Sequence, residues 1–200
     1  MKSSAAACKP DATPGKLQIS SRNVADEDLI ARIRNRDQEA FACLLKRHLD
    51  AMHRYIYRLT GSSHDAEELT QETFLRVWEK ASSFDAKQGK ASTWLYRIAH
   101  NLCVDEFRRA KPDAVSGAID TLADPAADQE TQLAQGQRLT ALQDALNALP
   151  QNQRSALLLC QVQGFSNGDA ARILKISVSA LESLLARARR SLRRTLSPTG

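Results

Sequence analysis

Apolar residues recur at intervals of three and four along most of this 200-residue chain. Phe41, Leu44, Leu45, Leu49, Met52, Ile56 and Leu59 are the longest such series. Side chains three and four apart share one face of a helix, whereas a strand needs strict alternation. The spacing therefore demands helices that bury one stripe each. Alanine, leucine, arginine and glutamine are abundant, and glycine and β-branched residues are sparse, which favours helix throughout. Aromatics make up only 5%, so the cores are mostly aliphatic. The expected class is all-α, with two small helical domains joined by a flexible linker.

Punctuation residues divide the chain. Residues 1–25, rich in Ser, Ala, Pro and Gly, read as a disordered tail with no apolar core for a secretory signal. Leu29 and Ile33 open a helical pattern from Asp26. Thr60-Gly61-Ser62-Ser63 stops the long helix and caps the next, which runs from about Asp65 to Ala81. Ala66, Leu69, Phe74, Val77, Trp78 and Ala81 form its apolar stripe, and Glu68, Glu72, Arg76 and Glu79, with Gln71 beside them, form the opposite face. After a polar loop, Ser82–Lys90, a further helix spans Ser92–Arg109. Trp94, Leu95, Ile98 and Leu102 point to its core. Arg97, Asn101, Asp105 and Arg108 recur at steps of four, four and three on its exposed side. Lys111-Pro112 ends it. The first domain is thus expected over 26–111, an acidic linker over 112–130 and a second domain over 131–200.

In the second domain, Leu139, Leu142, Leu146 and Leu149 mark one helix, and Pro150 suits the first position of the next. Gln163-Gly164 closes that helix. Ser166 with Asp169 has capping-box spacing, with Asp in place of the usual Glu. A short helix, Asp169–Leu174, a turn at Lys175-Ile176, and a long helix capped by Ser177 or Ser179 follow. A short helix, a tight turn and a longer basic helix make a helix-turn-helix. In such a unit the second helix lies in the major groove. Its N-terminal residues reach base edges and its basic residues meet phosphates. Ser179, Glu182 and Ser183 are the candidates for bases. Arg187, Arg189, Arg190, Arg193 and Arg194 are the candidates for phosphates.

Charge distribution agrees with a polyanion partner. The whole chain carries +5, but residues 112–130 hold five acidic and no basic side chains, and residues 131–200 hold nine basic and three acidic. Cys8, Cys43, Cys103 and Cys160 form no CxxC pair, and His48, His53, His64 and His100 are scattered. Neither a metal cluster nor a redox motif is indicated, and a reducing cytoplasm fits. The longest apolar run, Ala156–Cys160, is too short for a membrane span. No nucleophile–base set and no phosphate loop occurs. The expectation is a binding protein without enzymatic activity, cofactor or metal.

DAEELTQETFLRVW followed by STWLYRIAHNLCVDEFRR resembles conserved region 2 of bacterial sigma factors. LPQNQRSALLLCQVQGFSNGDAARILKISVSALESLLARARRSLRR resembles region 4. Two blocks in this order with a short gap resemble the extracytoplasmic-function group of the sigma-70 family, over about residues 26–196. The resemblance implies docking of the first acidic helix on a coiled coil of the polymerase β′ clamp, through Asp65, Glu68, Leu69, Gln71, Glu72, Phe74 and Trp78. It also implies contact with the β subunit. It implies reading of the −10 element by Arg97, Asn101, Asp105, Arg108 and Arg109, with Trp94 and Tyr96 as candidate melting aromatics, although Trp94 has core spacing. For the −35 element it implies Ser177, Ser179, Glu182, Ser183, Arg187, Arg189 and Arg190. The partners implied are core RNA polymerase, promoter DNA and an anti-sigma factor. Where the family commonly has Thr-Val-Lys-Ser-Arg-Leu, this chain has Ala180-Leu181-Glu182-Ser183-Leu184-Leu185. Positive charge comes one turn later, so the −35 sequence of better-known members does not transfer. A stand-alone helix-turn-helix regulator and a mimic that binds only an anti-sigma factor are the rival readings. Reversing Glu68 or Glu72 to Lys separates the first, since it should abolish core-polymerase binding in a sigma factor and leave DNA binding intact in a regulator; the arginine-rich helix argues against the second.

Overall fold

Side-chain and glycine caps fix where the helices begin and end. The computed structural model describes residues 24–109 and 140–196. Helix α1 (Asp26–Ile33) is followed by a tight corner in which Arg36 takes a left-handed φ of 64°. Asp37 then caps α2 (Gln38–Thr60), accepting from the Ala40 N–H at 3.0 Å. The same carboxylate accepts from Arg32 Nε at 2.8 Å, which ties the two helices together. Gly61 ends α2 with φ 78°, and its N–H donates to the Tyr57 carbonyl at 2.7 Å. This is the usual left-handed stop. Ser62 caps α3 (Ser63–Lys80) by accepting from Asp65 N–H at 3.2 Å. The helix therefore starts two residues before the expected Asp65. A 3₁₀ turn (Ala81–Ser83) and a loop lead to α4 (Ala91–Arg109).

The second half opens with a helical stretch over residues 140–147, called α5. Pro150 stands at the cap of α6 (Gln151–Leu157), one residue earlier than expected. α6 runs on into a π turn (Leu158–Val162), in which Gln163 N–H reaches back five residues to the Leu158 carbonyl at 3.0 Å. Periodicity gave no sign of this turn. Such turns swing the residues after them out of helical register. Ser166 caps α7 (Asn167–Leu174), accepting from Asp169 N–H at 3.1 Å. Asp169 does not complete the expected box through the backbone; it takes the Ser166 hydroxyl proton at 2.8 Å. Asp is one methylene shorter than the Glu of a capping box, which reaches the backbone instead. Ser177, rather than Ser179, caps α8 (Val178–Leu196), accepting from Ala180 N–H at 3.2 Å.

The fold is all-α: no strand occurs among the described residues. In the first half, Leu29, Ile30, Ile33, Leu44, Met52, Ile56, Leu59, Leu95 and Leu102 are almost fully buried between α1, α2 and α4 with α3. In the second, Leu158, Leu159, Ile173, Leu181 and Ala188 centre the helix-turn-helix. The two halves touch. α7 lies along α4, and the buried apolar residues of both halves form one connected cluster. An aromatic chain crosses the join: Tyr55 packs on Tyr96 at 5.1 Å, and Tyr96 on Phe165 at 4.9 Å, both edge to face. The expected tail and acidic linker fall almost wholly outside the described residues.

Candidate polymerase and nucleic-acid interfaces

α3 presents its acid to solvent and keeps its apolar stripe inside. Glu68, Gln71 and Glu79 are exposed, and Asp65 is half-buried. Glu72 pairs with Arg76 one turn on, Nε to Oε1 at 2.7 Å. Leu69 and Phe74, which the family resemblance implied as docking residues, lie in the core. They lie beneath the exposed acidic face. Trp78 is half-buried edge-on against Phe41 at 5.2 Å, with the Arg36 guanidinium 5.4 Å from its ring centre. Leu75, outside the expected docking set, is 57% exposed, more than the other large apolar residues on the surface of the described residues. It falls on the stripe of Glu68, Glu72 and Glu79, at helical steps of four, three and four, and that register was the available signal.

α4 turns its polar side outward. Arg97, Asp105, Arg108 and Arg109 are exposed, and Asn101 is half-buried. Arg108 pairs with Asp105 at 3.8 Å and Arg109 with Glu106 at 3.3 Å, both one turn apart. The two candidate melting aromatics are buried. Trp94 packs on Phe84 at 5.5 Å. Tyr96 donates its hydroxyl proton to Gln163 Oε1 at 2.7 Å, and burial pushes its pKa up to about 12. Beneath this face His100 is buried, 3.4 Å from the Tyr55 hydroxyl. Burial, and then the nearby Lys175 ammonium, lower its pKa to about 4, so it is neutral at pH 7. Burial also raises the Cys103 thiol to about 12, which makes it a packing group and not a nucleophile.

A cleft of about 570 Å³ separates the α4 face from the helix-turn-helix. Asn101, Asp105 and Arg108 line one wall, and Lys175, Ile176 and Leu184 line the other. Lys175 holds the turn between α7 and α8 in the left-handed region, φ 56°, where glycine is the easier residue.

Along α8, Ser177, Ser179, Glu182, Ser183, Arg187, Arg189 and Arg190 are all exposed. Leu181, Leu185 and Ala188 anchor the opposite side in the core. Leu184, where the family commonly has arginine, is half-buried at the cleft. Glu182 accepts from Asn167 Nδ2 at 3.3 Å, so α7 holds a carboxylate near the exposed start of α8.

Residues 44–112 match the family description "Sigma-70 region 2", and residues 139–192 match "Sigma-70, region 4". The extracytoplasmic-function (ECF) RNA polymerase sigma factor SigW of Bacillus subtilis is 31% identical over 177 residues, spanning 84% of this chain and 94% of that one. The chain belongs to the ECF group of the sigma-70 family. ECF sigma factor SigE of Mycolicibacterium smegmatis is 37% identical over 155 residues; the match spans 75% of this chain but only 59% of that longer relative. Among solved structures, the sigma factor RpoE of Bartonella quintana, crystallised with the anti-sigma factor NepR, superposes with a TM-score of 0.63 at 25% identity. That likeness covers 78% of this sigma factor and 96% of RpoE. The α1–α4 half of the sigma factor therefore largely coincides with region 2, and the α5–α8 half with region 4.

Proposed function

We propose that this sigma factor joins core RNA polymerase through the outer face of α3 and reads two promoter elements, the −10 element with α4 and the −35 element with α8. In this reading residues 26–111 are the polymerase-binding and −10 unit, 112–130 the linker and 131–200 the −35 unit. The observation that carries it is the separation of chemistry between exposed faces. α3 shows Glu68, Gln71, Leu75 and Glu79, and α8 shows a polar N-terminal turn followed by arginines. An acidic helix with one apolar knob suits a basic partner helix; polar residues ahead of arginines suit a major groove. On α4, Arg97, Asn101, Asp105, Arg108 and Arg109 supply cationic and amide groups for an unpaired strand.

The partners follow: core polymerase by its β′ coiled coil and β subunit, promoter DNA, and an anti-sigma factor. RpoE, which shares the fold, was solved with the anti-sigma factor NepR, which supports a partner of that kind here. The site of action is the cytoplasm, where the polymerase is, and the protein's part is recognition while the polymerase carries the catalysis. No helix among the described residues is long and apolar enough to cross a membrane.

In vitro transcription with core polymerase on a promoter library tests the reading. Promoter-specific initiation is expected, and Glu68→Lys should abolish core binding while leaving duplex binding by α8 intact. A chain that binds DNA but never redirects core polymerase would leave the stand-alone regulator as the better reading.

A further inference from the structure

Helix α1 stands outside the region 2 match, which begins at residue 44. It buries Leu29, Ile30 and Ile33, and two neighbouring acids at its start reach different helices. Asp26 turns to α2, where its carboxylate pairs with Arg47 and lies 2.7 Å from His48 Nε2. Glu27 turns to α4. Its Oε1 accepts from the Ala91 N–H at 2.9 Å, across 64 positions of sequence.

That N–H begins α4, and the first four N–H groups of a helix have no acceptor within it. A Ser, Thr, Asp or Asn just ahead of the helix usually supplies one. Here the two residues ahead of α4 are Gly89 and Lys90, which carry no side-chain acceptor, and its first turn holds no acid. A carboxylate delivered from α1 meets both needs: it accepts the bond and opposes the positive end of the helix. Ala91 is buried, so water is a poor substitute.

The loop ahead of α4 is closed on itself. Asp85 accepts from the Lys87 N–H at 2.9 Å and from Gln88 Nε2 at 3.0 Å, and Phe84 packs on Trp94 at 5.5 Å. Between this loop and α4 lies a cavity of about 70 Å³, lined in part by Gln88, Lys90, Thr93 and Arg97. The Thr93 hydroxyl is buried without a hydrogen-bond partner. Loop and helix meet at Lys90-Ala91, the point that Glu27 holds.

We propose that Glu27 is a positioning residue for the −10 element: by capping α4 from α1 it fixes the 84–90 loop against Arg97, so that the loop and the helix together select an unpaired strand.

Cations alone bind a strand with little regard to its sequence. Arg97, Arg108 and Arg109 keep their charge whatever the loop does. Selection needs polar groups held in one arrangement, and Gln88, Lys90, Thr93 and Arg97 keep theirs only while the start of α4 is fixed. When the competent arrangement is present for part of the time, affinity for a preferred strand falls by that fraction. Affinity for an arbitrary strand does not.

The brace between α1 and α4 is independent of the promoter assignment; its consequence rests on the reading of α4 as the −10 helix. Two variants isolate the hydrogen bond. Glu27→Gln and Glu27→Met both remove the charge from the start of α1, but only Glu27→Met removes the acceptor. In the full chain alone, the Ala91 amide should be protected from hydrogen exchange in wild type and in Glu27→Gln, and should exchange about ten-fold faster in Glu27→Met. With core polymerase added, a randomised single-stranded DNA pool is enriched on the wild-type holoenzyme, and binding of the enriched and starting pools is compared. Glu27→Met should lower the preference for the enriched pool about five-fold, with core binding and affinity for the starting pool unchanged, and Glu27→Gln should keep most of it. If Glu27→Met disturbs folding, Glu27→Ala carries the same measurements. Equal exchange at Ala91 in all variants overturns the brace. Faster exchange with the preference intact keeps the brace and overturns its part in strand selection. A wild-type holoenzyme with no preference at all overturns the −10 reading, and the exchange result still decides the brace.

Discussion

His100 is a titratable group that the fold keeps neutral. Its pKa near 4, against about 6.5 in an unfolded chain, comes first from burial and then from Lys175. The sign follows from which state binds the proton. Above pH 6.5 both states are neutral and His100 makes no pH-dependent difference. As pH falls from 6.5 towards 4, the unfolded chain takes up a proton that the native state resists, and stability declines. Between pH 7.5 and pH 5 the loss should be about 2 kcal/mol in urea unfolding, at 1.36 kcal/mol per pH unit below 6.5. His100→Gln should flatten that slope, and an equal slope in wild type and variant would refute the assignment. Gly61 is the second constrained residue. Its φ of 78° and the 2.9 Å approach of a Cβ to Asn147 Oδ1 combine strain with collision. Gly61→Ala should destabilise the fold by about 1–2 kcal/mol, whereas Asn147→Ala with Gly61→Ala should recover the part due to collision.

At the scale of elements, α3 and α8 carry separable predictions. Leu75 is an exposed knob among acids, so Leu75→Ala should weaken core-polymerase binding by about 1–2 kcal/mol, with no change in thermal stability. A titration of labelled core against the variant checks this. On α8, Glu182 accepts from Asn167 and stands among the base-facing candidates. Glutamate accepts well from cytosine N4 and repels phosphate. Glu182→Ala should relax selection at one base pair, a change of about 1–3 kcal/mol in discrimination seen in binding to a randomised −35 library. Arg187→Ala should instead weaken all sequences alike and lower the salt slope by about one. The sequence carried these faces clearly, because exposure on a helix follows register: Glu68, Arg97, Glu182 and Arg190 all lie outward. The family resemblance does not set apart Leu69 and Phe74, which are buried, because it names a helix, while burial depends on which side of that helix meets α2 and α4. The π turn was illegible for a related reason. Leu158 to Val162 keeps an ordinary apolar pattern, and the contacts that the turn makes with α2 and α7 are not written in that pattern.

Over the whole molecule, periodicity, the Gly61 stop and the Ser166 cap are enough to predict an all-α chain, but not how its halves meet. An acidic stretch between two basic-faced units reads as a tether, and a tether suggests independence. What opposes independence is a set of neutral contacts with no sequence signature: Arg154 on a main-chain carbonyl, Tyr96 on Gln163, and the Tyr55–Tyr96–Phe165 aromatic chain. Each aromatic pair is worth about 0.5–1.5 kcal/mol beyond its buried area. The join is thus a sizeable fraction of the stability of a small helical unit, and the halves should unfold together. The placement of tryptophan makes this measurable. Both tryptophans, Trp78 and Trp94, belong to the first half, so fluorescence reports that half alone while far-ultraviolet circular dichroism reports both. In wild type the two urea transitions should coincide. Phe165→Ala removes the far end of the aromatic chain without touching either tryptophan, and the dichroism curve should then split, with its earlier phase invisible to fluorescence. Transitions that already diverge in wild type would mean that the halves unfold independently and that their contact contributes little to the stability of either.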